Sequence, residues 1–315
     1  MTARAEILRV AQRLSLGAGP VALAVDVGGT GMKAALFDST GRIVDALSAP
    51  TPECTQSAAA EVMDVIADFR STLAEGNPEH AIAEAAVVIP GIVDEASGTG
   101  IHSANLGWRN VPFRSLLSQI LNLDVRLSHD VRSAGRAEFE LIEHTPDDAV
   151  MITIGTGIAG AIRVGGRLIS AGGYAGEVGF TEVTVDTAEG LFRGPIEHIA
   201  SASSIAKRYS QRSGTTVAGS LDVLDAVHSG DPIAHEVFAE AVEALAAMCA
   251  QIAAVIAPET IVLGGGLSGA DELLDGVEAA LRPRLDFHRM PSIRRAGLGP
   301  VAGLIGAGLL TRDAA

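Results

Sequence analysis

Residues 21 to 38 read VALAVDVGGTGMKAALFD and place three glycines between two apolar runs. Val21 to Val27 predicts a strand, Met32 to Phe37 predicts a second strand running back, and the glycines predict a tight turn between them. Glycine has no Cβ, so backbone N–H groups can crowd toward a ligand, and a concave row of such donors suits phosphate oxygens. The stretch therefore predicts a nucleotide-phosphate loop closed by a hairpin.

Two better-known phosphate loops fit the chain less well. The sequence contains no Walker A string, Gly-x-x-x-x-Gly-Lys-Ser/Thr. The dinucleotide spacing G-x-G-x-x-G occurs at 155 to 160, where the following β-branched residues and Gly-Gly turn favour a hairpin instead of a helix. It recurs at 264 to 269 between a predicted strand and helix, with Asp286 about 20 residues further on. Because the segment before Asp286 is polar and broken by proline, a dinucleotide site stays only an alternative.

Length and composition limit the class of protein. A chain of 315 residues, 48% of them hydrophobic, can form two globular domains. Its net charge of −15 argues against a nucleic-acid partner, whose backbone requires a surplus of Lys and Arg. It does not argue against ATP, since glycine N–H groups, a lysine and Mg²⁺ can offset phosphate charge locally. Cys54 and Cys249 have no paired spacing, so neither a disulfide framework nor a cysteine zinc site is expected.

Targeting signals also bear on where the protein acts. The N-terminal stretch is charged throughout and lacks the apolar centre of a signal peptide. The longest apolar run, Ala244 to Ala257, contains Gln251 and is too short to span a bilayer. We therefore expect a cytoplasmic protein without a membrane partner.

The rest of the chain alternates between strand and helix patterns, which predicts an α/β protein with largely parallel sheets. Predicted strands cover residues 21–27, 32–37, 42–48, 84–94 with a break at Pro90-Gly91, 124–127, 150–154, 161–164 and 260–263. Predicted helices cover residues 5–16, 57–75, 113–121, 131–143, 195–210, 221–229, 234–256, 270–281 and 303–310. Residues 150 to 164 repeat the opening pattern of strand, glycine turn and strand. Such a duplication would place two phosphate-facing hairpins across a cleft between two domains.

Several short motifs occur in order along nearly the whole chain. They are DVGGTGMK at 26–33, PGIVD at 90–94, NLGW at 105–108, HD at 129–130, GTGIAG at 155–160, GEVG at 176–179, GPIE at 194–197 and GGG at 264–266. On these motifs the chain resembles the ROK family of sugar kinases and related repressors. The resemblance implies two actin-like, ribonuclease H-like α/β domains with mixed sheets flanked by helices and a cleft between them. The expected domains are 21–128 with a C-terminal helix at about 300–315, and 129–299, after an N-terminal helical extension at 1–20.

The resemblance also implies which residues bind the phosphoryl donor. The two glycine turns would hold the phosphates and the third glycine run would border the adenosine of ATP. Asp26 would orient Mg²⁺ or its waters, while Lys33 either adds positive charge or is merely solvated. The donor residues are then Asp26, Gly28, Gly29, Thr30, Lys33, Gly155, Thr156, Gly157, Gly264, Gly265 and Gly266.

Asp130 matches the family's catalytic aspartate and is the candidate general base, although a helix N-cap is the alternative for an Asp before a helix. The implied sugar-binding residues are Asn105, His129, Glu177 and Glu197. Glu197 could instead complement the dipole of a helix that starts near Pro195. Glu177 could be a merely exposed acid in a glycine-rich loop.

The chain departs from the family pattern at three places. His129 stands where the family usually has Asn, and its charge would vary near pH 6.5. Phe180 replaces a histidine that is both a sugar contact and a zinc ligand, and the cysteine cluster before Glu197 is missing. We therefore expect no structural zinc.

The leading hypothesis is an ATP- and Mg²⁺-dependent sugar kinase that acts on the 6-hydroxyl of a glucose-like hexose. An N-acetylated amino sugar or fructose is an alternative acceptor, and polyphosphate an alternative donor. A non-catalytic sugar sensor is a second hypothesis, motivated by His129 and Phe180. A DNA-binding repressor is disfavoured by the acidic balance and by the 25 residues before Asp26, too few for a winged helix-turn-helix domain. We expect a homodimer.

Overall fold

The computed structural model describes residues 3–11, 14–53, 58–141 and 146–313, and the chain forms two compact units. The first unit comprises Met1–Leu141, Ser170–Ala175 and Pro300–Ala315, and the second comprises Ile142–Ile169 and Gly176–Gly299. The expected boundary near residue 128 differs from this division. The first unit continues to Leu141 because the helix over residues 130–141 packs on the helix over residues 302–310.

The first unit contains one main sheet, one small sheet and five helices among the residues described. Its strands are β1 (Ala22–Val27), β2 (Gly31–Phe37), β3 (Ile43–Pro50), β4 (Glu84–Ile89), β5 (Ile92–Asp94), β6 (Thr99–His102), β7 (Arg109–Val111) and β8 (Asp124–His129). Its helices are α1 (Ala3–Ala11), α2 (Ala58–Gly76), α3 (Phe113–Leu121), α4 (Asp130–Leu141) and, at the end of the chain, α10 (Ala302–Leu310). Helix α1 ends at Ala11, earlier than predicted, and packs on β3 through the buried Ile7 and the bond from Arg4 Nε to the Ala46 carbonyl, 3.1 Å.

The main sheet of the first unit has the order β3-β2-β1-β4-β8. β1, β2 and β3 form antiparallel pairs, whereas β4 lies parallel to β1 and β8 lies parallel to β4. Every residue of β1 is buried, because helices cover both faces of the sheet. Leu23, Val25 and Val27 share a core with apolar side chains of α2 and α3. The alternate face, which carries Asp26, meets α10 at Gly303.

The second unit repeats this arrangement. Its strands are β9 (Ala149–Ile154), β10 (Ile158–Val164), β11 (Arg167–Leu168), β12 (Glu182–Thr187), β13 (Gly190–Pro195), β14 (Thr260–Gly264) and β15 (Ser292–Arg295). Its helices are α5 (Glu197–Ala200), α6 (Ala202–Ser213), α7 (Ser220–His228), α8 (Pro232–Ile256) and α9 (Asp271–Leu281). The main sheet has the order β11-β10-β9-β14-β15, again with two antiparallel and then two parallel pairings. The predicted repeat is therefore confirmed, as are the mixed sheets that the family resemblance implied, whereas the largely parallel sheets expected from the alternation of strands and helices are not found.

The predicted helix over residues 195–210 is wrong in one respect, because the chain forms a strand end and two helices there. Pro195 is the last residue of β13, α5 ends at Ala200, and Ser201 adopts an extended conformation. The Ser201 hydroxyl accepts the N–H of Ser204, 3.1 Å away, and so caps α6. Serine is a preferred N-cap because its oxygen satisfies a backbone donor that the helix leaves free.

Helix α8 is the core helix of the second unit. Among the residues described, it is the one helix long and apolar enough to cross a membrane by length and composition, and 56% of its most apolar window is buried. It packs against α5, α6, α7, α9 and β12. Cys249 lies buried on this helix, and burial raises the pKa of its thiol to about 12. Cys54 falls outside the described residues.

Candidate active site

The first glycine turn joins β1 to β2. The N–H of Gly28 donates to the carbonyl of Gly31, 3.0 Å away, and the Thr51 hydroxyl donates to the Gly28 carbonyl, 2.7 Å away. A Cβ added at Gly29 would meet no atom within 4 Å, so the tip of the turn is open. The turn is thus braced from the β3 side and leaves room for an anionic ligand.

Asp26 precedes this turn as a buried carboxylate, 9% exposed. Burial raises its pKa to about 6, and the Asp130 carboxylate adds to the increase, while Lys33 opposes it. The Lys33 Nζ lies 3.8 Å from Asp26 Oδ2 and donates to the carbonyl of Pro300 at 2.7 Å. Gly303 of α10 leaves the space that Asp26 occupies, since a Cβ there would lie 3.0 Å from the carboxylate. Lys33 is therefore bonded within the first unit and not merely solvated.

Asp130 begins α4 directly after β8. Its Oδ1 accepts the N–H of Val131 at 2.7 Å and lies 3.2 Å from His129 Nε2. Burial raises the pKa of the Asp130 carboxyl to about 6, although the Val131 N–H and the Arg132 guanidinium favour its ionised form. The side chain is 24% exposed. A largely buried carboxylate at the end of a strand, ionised at neutral pH but close to its pKa, has the properties of a general base.

The side chain of His129 provides the helix N-cap of α4, the role that was the alternative for Asp130. Its Nδ1 accepts the N–H of Arg132 at 3.2 Å, across the first turn of α4. Because Nδ1 is an acceptor, the ring proton is assigned to Nε2, the nitrogen that faces Asp130. Burial and then the Arg132 cation lower the pKa of His129 to about 3, so the expected change of charge near pH 6.5 does not occur.

The second glycine turn joins β9 to β10 in the second unit. The N–H of Gly155 donates to the Gly157 carbonyl at 2.9 Å, and the Ser203 hydroxyl donates to the Thr156 carbonyl at 2.6 Å. Glu197 Oε2 accepts the N–H of Ile158 at 2.9 Å and lies directly against Gly157, where an added Cβ would displace it. Glu197 therefore supports the turn from behind, and it also lies in the first turn of α5, as its alternative role at the helix dipole requires.

The third glycine run lies beside the second turn, because Gly264 of β14 pairs with Thr153 of β9. Gly265 has φ +94°, and a Cβ there would overlap the Ile154 carbonyl, so only glycine fits. The segment around Asp286 forms no strand before β15, and the dinucleotide alternative is therefore wrong.

A cavity of about 700 Å³ in the second unit connects the second turn and the third glycine run with α6 and α7. This volume lies in the range of about 300–1,000 Å³ that is typical of small-molecule sites. It is lined by Thr156, Ala202, Ser203, Ala206, Lys207, Ser210, Val217, Ala218, Gly219, Ser220, Leu221, Asp222 and Gly266. No sequence motif pointed to the α6 and α7 residues, since their pattern is that of ordinary amphipathic helices.

Residues 22–314 match the family model described as "ROK family". The chain belongs to the ROK family. It is 30% identical to an N-acetylmannosamine kinase of Escherichia coli over 295 residues, which cover 92% of this chain and 98% of that protein. It is 29% identical to a glucokinase of Halalkalibacterium halodurans, with 92% and 94% covered. A ROK glucokinase from Streptomyces griseus, solved with glucose and AMPPNP, superposes with a TM-score of 0.77 at 28% identity, covering 93% of this chain and all of that one.

These comparisons confirm the predicted actin-like fold and the predicted enzyme class, a sugar kinase that transfers a phosphoryl group to an alcohol.

Among ROK motif residues, Asn105 is exposed in the turn between β6 and β7, and Trp108 beside it is a core residue at 4% exposure. Glu177 precedes a short turn, Val178–Phe180, whose Gly179 lies against Glu197. The Phe180 ring is 68% exposed.

The segment in which the family resemblance implies a cysteine cluster forms the antiparallel pair β12 and β13. Val183 and Val185 of β12 are buried in the core of the second unit. Within the ranges that the structure describes, no group of three or more His, Cys, Asp or Glu side chains is placed to hold a metal ion. Apolar packing thus stabilises this segment, and the absence of zinc stays a prediction.

Sequence reasoning missed an ion pair beside Asp130. Arg132 is 3% exposed, and its Nε donates to Glu95 Oε1 at 2.9 Å. Its terminal nitrogens reach the carbonyls of Ala175, at 3.3 Å, and Val93, at 3.4 Å. The pair joins the start of α4 to β5 and to the 170–175 segment. The position of an arginine two residues after the candidate base was the only sign of this ion pair in the sequence. Its partners could not be identified from the sequence because they are distant from it in the chain.

Proposed function

We propose that this ROK protein transfers the γ-phosphoryl group of ATP to a hydroxyl group of a hexose, with the 6-hydroxyl of a glucose-like sugar as the first candidate. The observation that carries the proposal is the Asp130 carboxylate, which is held at a strand end next to a neutral histidine and has a pKa of about 6. Two relatives that are named as sugar kinases support it, since the match covers 98% and 94% of their length.

Asp130 acts as the general base. With a pKa of about 6, roughly nine-tenths of its carboxylates are ionised at pH 7 and can accept the proton of the attacking hydroxyl. The sugar oxygen then bonds to the γ-phosphorus as the bond to the β-phosphate oxygen breaks, and ADP leaves. His129 Nε2 directs its proton toward Asp130 Oδ1 and keeps the carboxylate oriented.

The second unit binds the nucleotide. Its glycine turn offers backbone donors to phosphate oxygens, and the cavity beside that turn has room for adenosine. Asp26, a buried carboxylate beside the first glycine turn, supplies the hard oxygen that Mg²⁺ prefers. Bound Mg²⁺ would neutralise charge on the phosphates during transfer.

Asn105, His129, Glu177 and Glu197 are the proposed sugar-binding residues. Glu197 Oε2 is committed to the Ile158 N–H, so Oε1 is the oxygen proposed to accept a sugar hydroxyl. The relatives are named for N-acetylmannosamine and for glucose, so N-acetylated amino sugars belong in the acceptor panel with glucose, mannose and fructose.

The test is ADP release in a coupled assay across this panel, with polyphosphate as a second donor and ³¹P NMR to locate the new phosphate ester. Asp130→Asn should lower kcat by about 10²- to 10⁴-fold. Asp124→Asn makes the same change at the exposed start of β8 and should leave kcat unchanged. Turnover on no sugar, or full turnover of Asp130→Asn, would refute the proposal.

A further inference from the structure

Among the described residues that line the cavity in the second unit, one side chain is positively charged. The sequence has two lysines, Lys33 and Lys207, and only Lys207 lines this cavity. Asp222 is the one acidic residue among the lining residues that the structure describes. Its Oδ2 accepts the N–H groups of Ala218 and Gly219 at 2.7 and 3.3 Å, so this carboxylate serves the start of α7.

Lys207 differs from the other cations of α6. Arg208 bonds to Glu240, and Arg212 bonds to Glu240 and Glu236. Within the described part of the chain, Lys207 is exposed and has no carboxylate within 4 Å and no hydrogen-bond acceptor. The ammonium group is therefore available to a ligand of the cavity, while the arginines beside it hold α6 to its neighbours.

Helix geometry directs Lys207 toward the glycine turn. Ser203, one helical turn earlier on the same face, is bonded to the Thr156 carbonyl. Side chains on a helix lean toward its N-terminus, so a lysine covers the surface over the preceding turn. The long side chain of Lys207 thus extends toward the end of the cavity where Thr156 lies.

We propose that Lys207 binds the phosphate chain of the nucleotide donor. This inference rests on the proposed function and adds to it the residue that distinguishes a nucleotide from an uncharged nucleoside. A donor of several negative charges entering a protein of net charge −15 needs a local cation, and the cavity offers Lys207.

The test measures binding without sugar, by calorimetry for ATP and ADP and by displacement for adenosine. Lys207→Met should lower the affinity for ATP and ADP on the order of tenfold and leave the affinity for adenosine unchanged, as expected for one charge-assisted contact at an accessible site. Lys207→Arg should restore most of the affinity, and the loss should shrink as salt is raised. Arg282→Met, which removes one positive charge from an exposed side chain outside the cavity, is the control.

The outcomes separate the two proposals. If the wild-type protein binds neither ATP nor ADP, the proposed ATP donor is refuted. Suppose instead that the wild-type protein binds ATP. If Lys207→Met then binds ATP with the same affinity, or if its affinity for adenosine falls as much as its affinity for ATP, the role of Lys207 is refuted and the proposed function stands. Amine-reactive labelling provides a second readout, because ATP but not adenosine should protect Lys207. Equal labelling with and without ATP would overturn the inference.

Discussion

Replacing Asp130 with asparagine should stabilise the protein as it removes activity. Burial raises the pKa of Asp130 from 3.8 to about 6, so the folded state binds this proton more tightly than the unfolded state does. The ionised carboxylate therefore destabilises the fold at neutral pH. A difference of about two pKa units corresponds to about 3 kcal/mol, an upper limit for a side chain that is 24% exposed.

The gain in the free energy of unfolding that Asp130→Asn brings depends on pH. It is full above pH 6, declines as the pH falls from about 6 toward 3.8, and vanishes below 3.8, where the carboxyl is protonated in both states. The free energy of unfolding in urea, measured at pH 7.5 and at pH 4, should show the full gain at pH 7.5 and only a small remainder at pH 4. Asp124→Asn should show it at neither pH.

The same variant should lose kcat by about 10²- to 10⁴-fold, because an amide cannot accept the hydroxyl proton. A variant that is less stable at pH 7.5, or one that gains equally at pH 4, would refute the argument from burial. A more stable variant with full activity would separate the buried charge from catalysis and refute the role of Asp130 as base.

Three further predictions concern groups around the same residues. In the wild-type protein, kcat/KM for the sugar should fall about tenfold from pH 7 to pH 5 as Asp130 is protonated, and a flat profile would contradict this. Gly265→Ala should cost at least about 2 kcal/mol in thermal or urea unfolding, whereas Gly266→Ala, where a Cβ meets no atom within 4 Å, should cost less than about 0.5 kcal/mol. Arg132→Met should lower the free energy of unfolding by about 2 kcal/mol, because Glu95 loses its guanidinium partner and keeps only the Ser128 hydroxyl, and adding Glu95→Gln should recover part of the loss; no loss would argue against the ion pair.

The glycine turns were predictable because their conformations are local. Apolar strands on either side of a glycine cluster predict a hairpin, and both turns formed at the expected residues. The helix over residues 195–210 was mispredicted because a helical pattern continues through Ser201, whereas the side chain of this residue caps a new helix. The alternation of strands and helices alone predicted largely parallel sheets and was wrong, since a strand's pattern records its burial and not the direction of its partner, whereas the mixed sheets implied by the family resemblance are confirmed.

The sequence by itself determined the repeated strand and turn unit, the order of motifs and therefore the family. Only the tertiary structure decided the electrostatics of Asp26, Asp130 and His129, because their pKa values depend on burial and on charges that other elements supply. It also decided that Lys207 lines the cavity, since α6 meets the glycine turn through the Ala202 N–H and the Ser203 hydroxyl, whose partners Gly155 and Thr156 are far away in the chain. Local conformation follows from neighbours in sequence, whereas solvation and charge follow from neighbours in space.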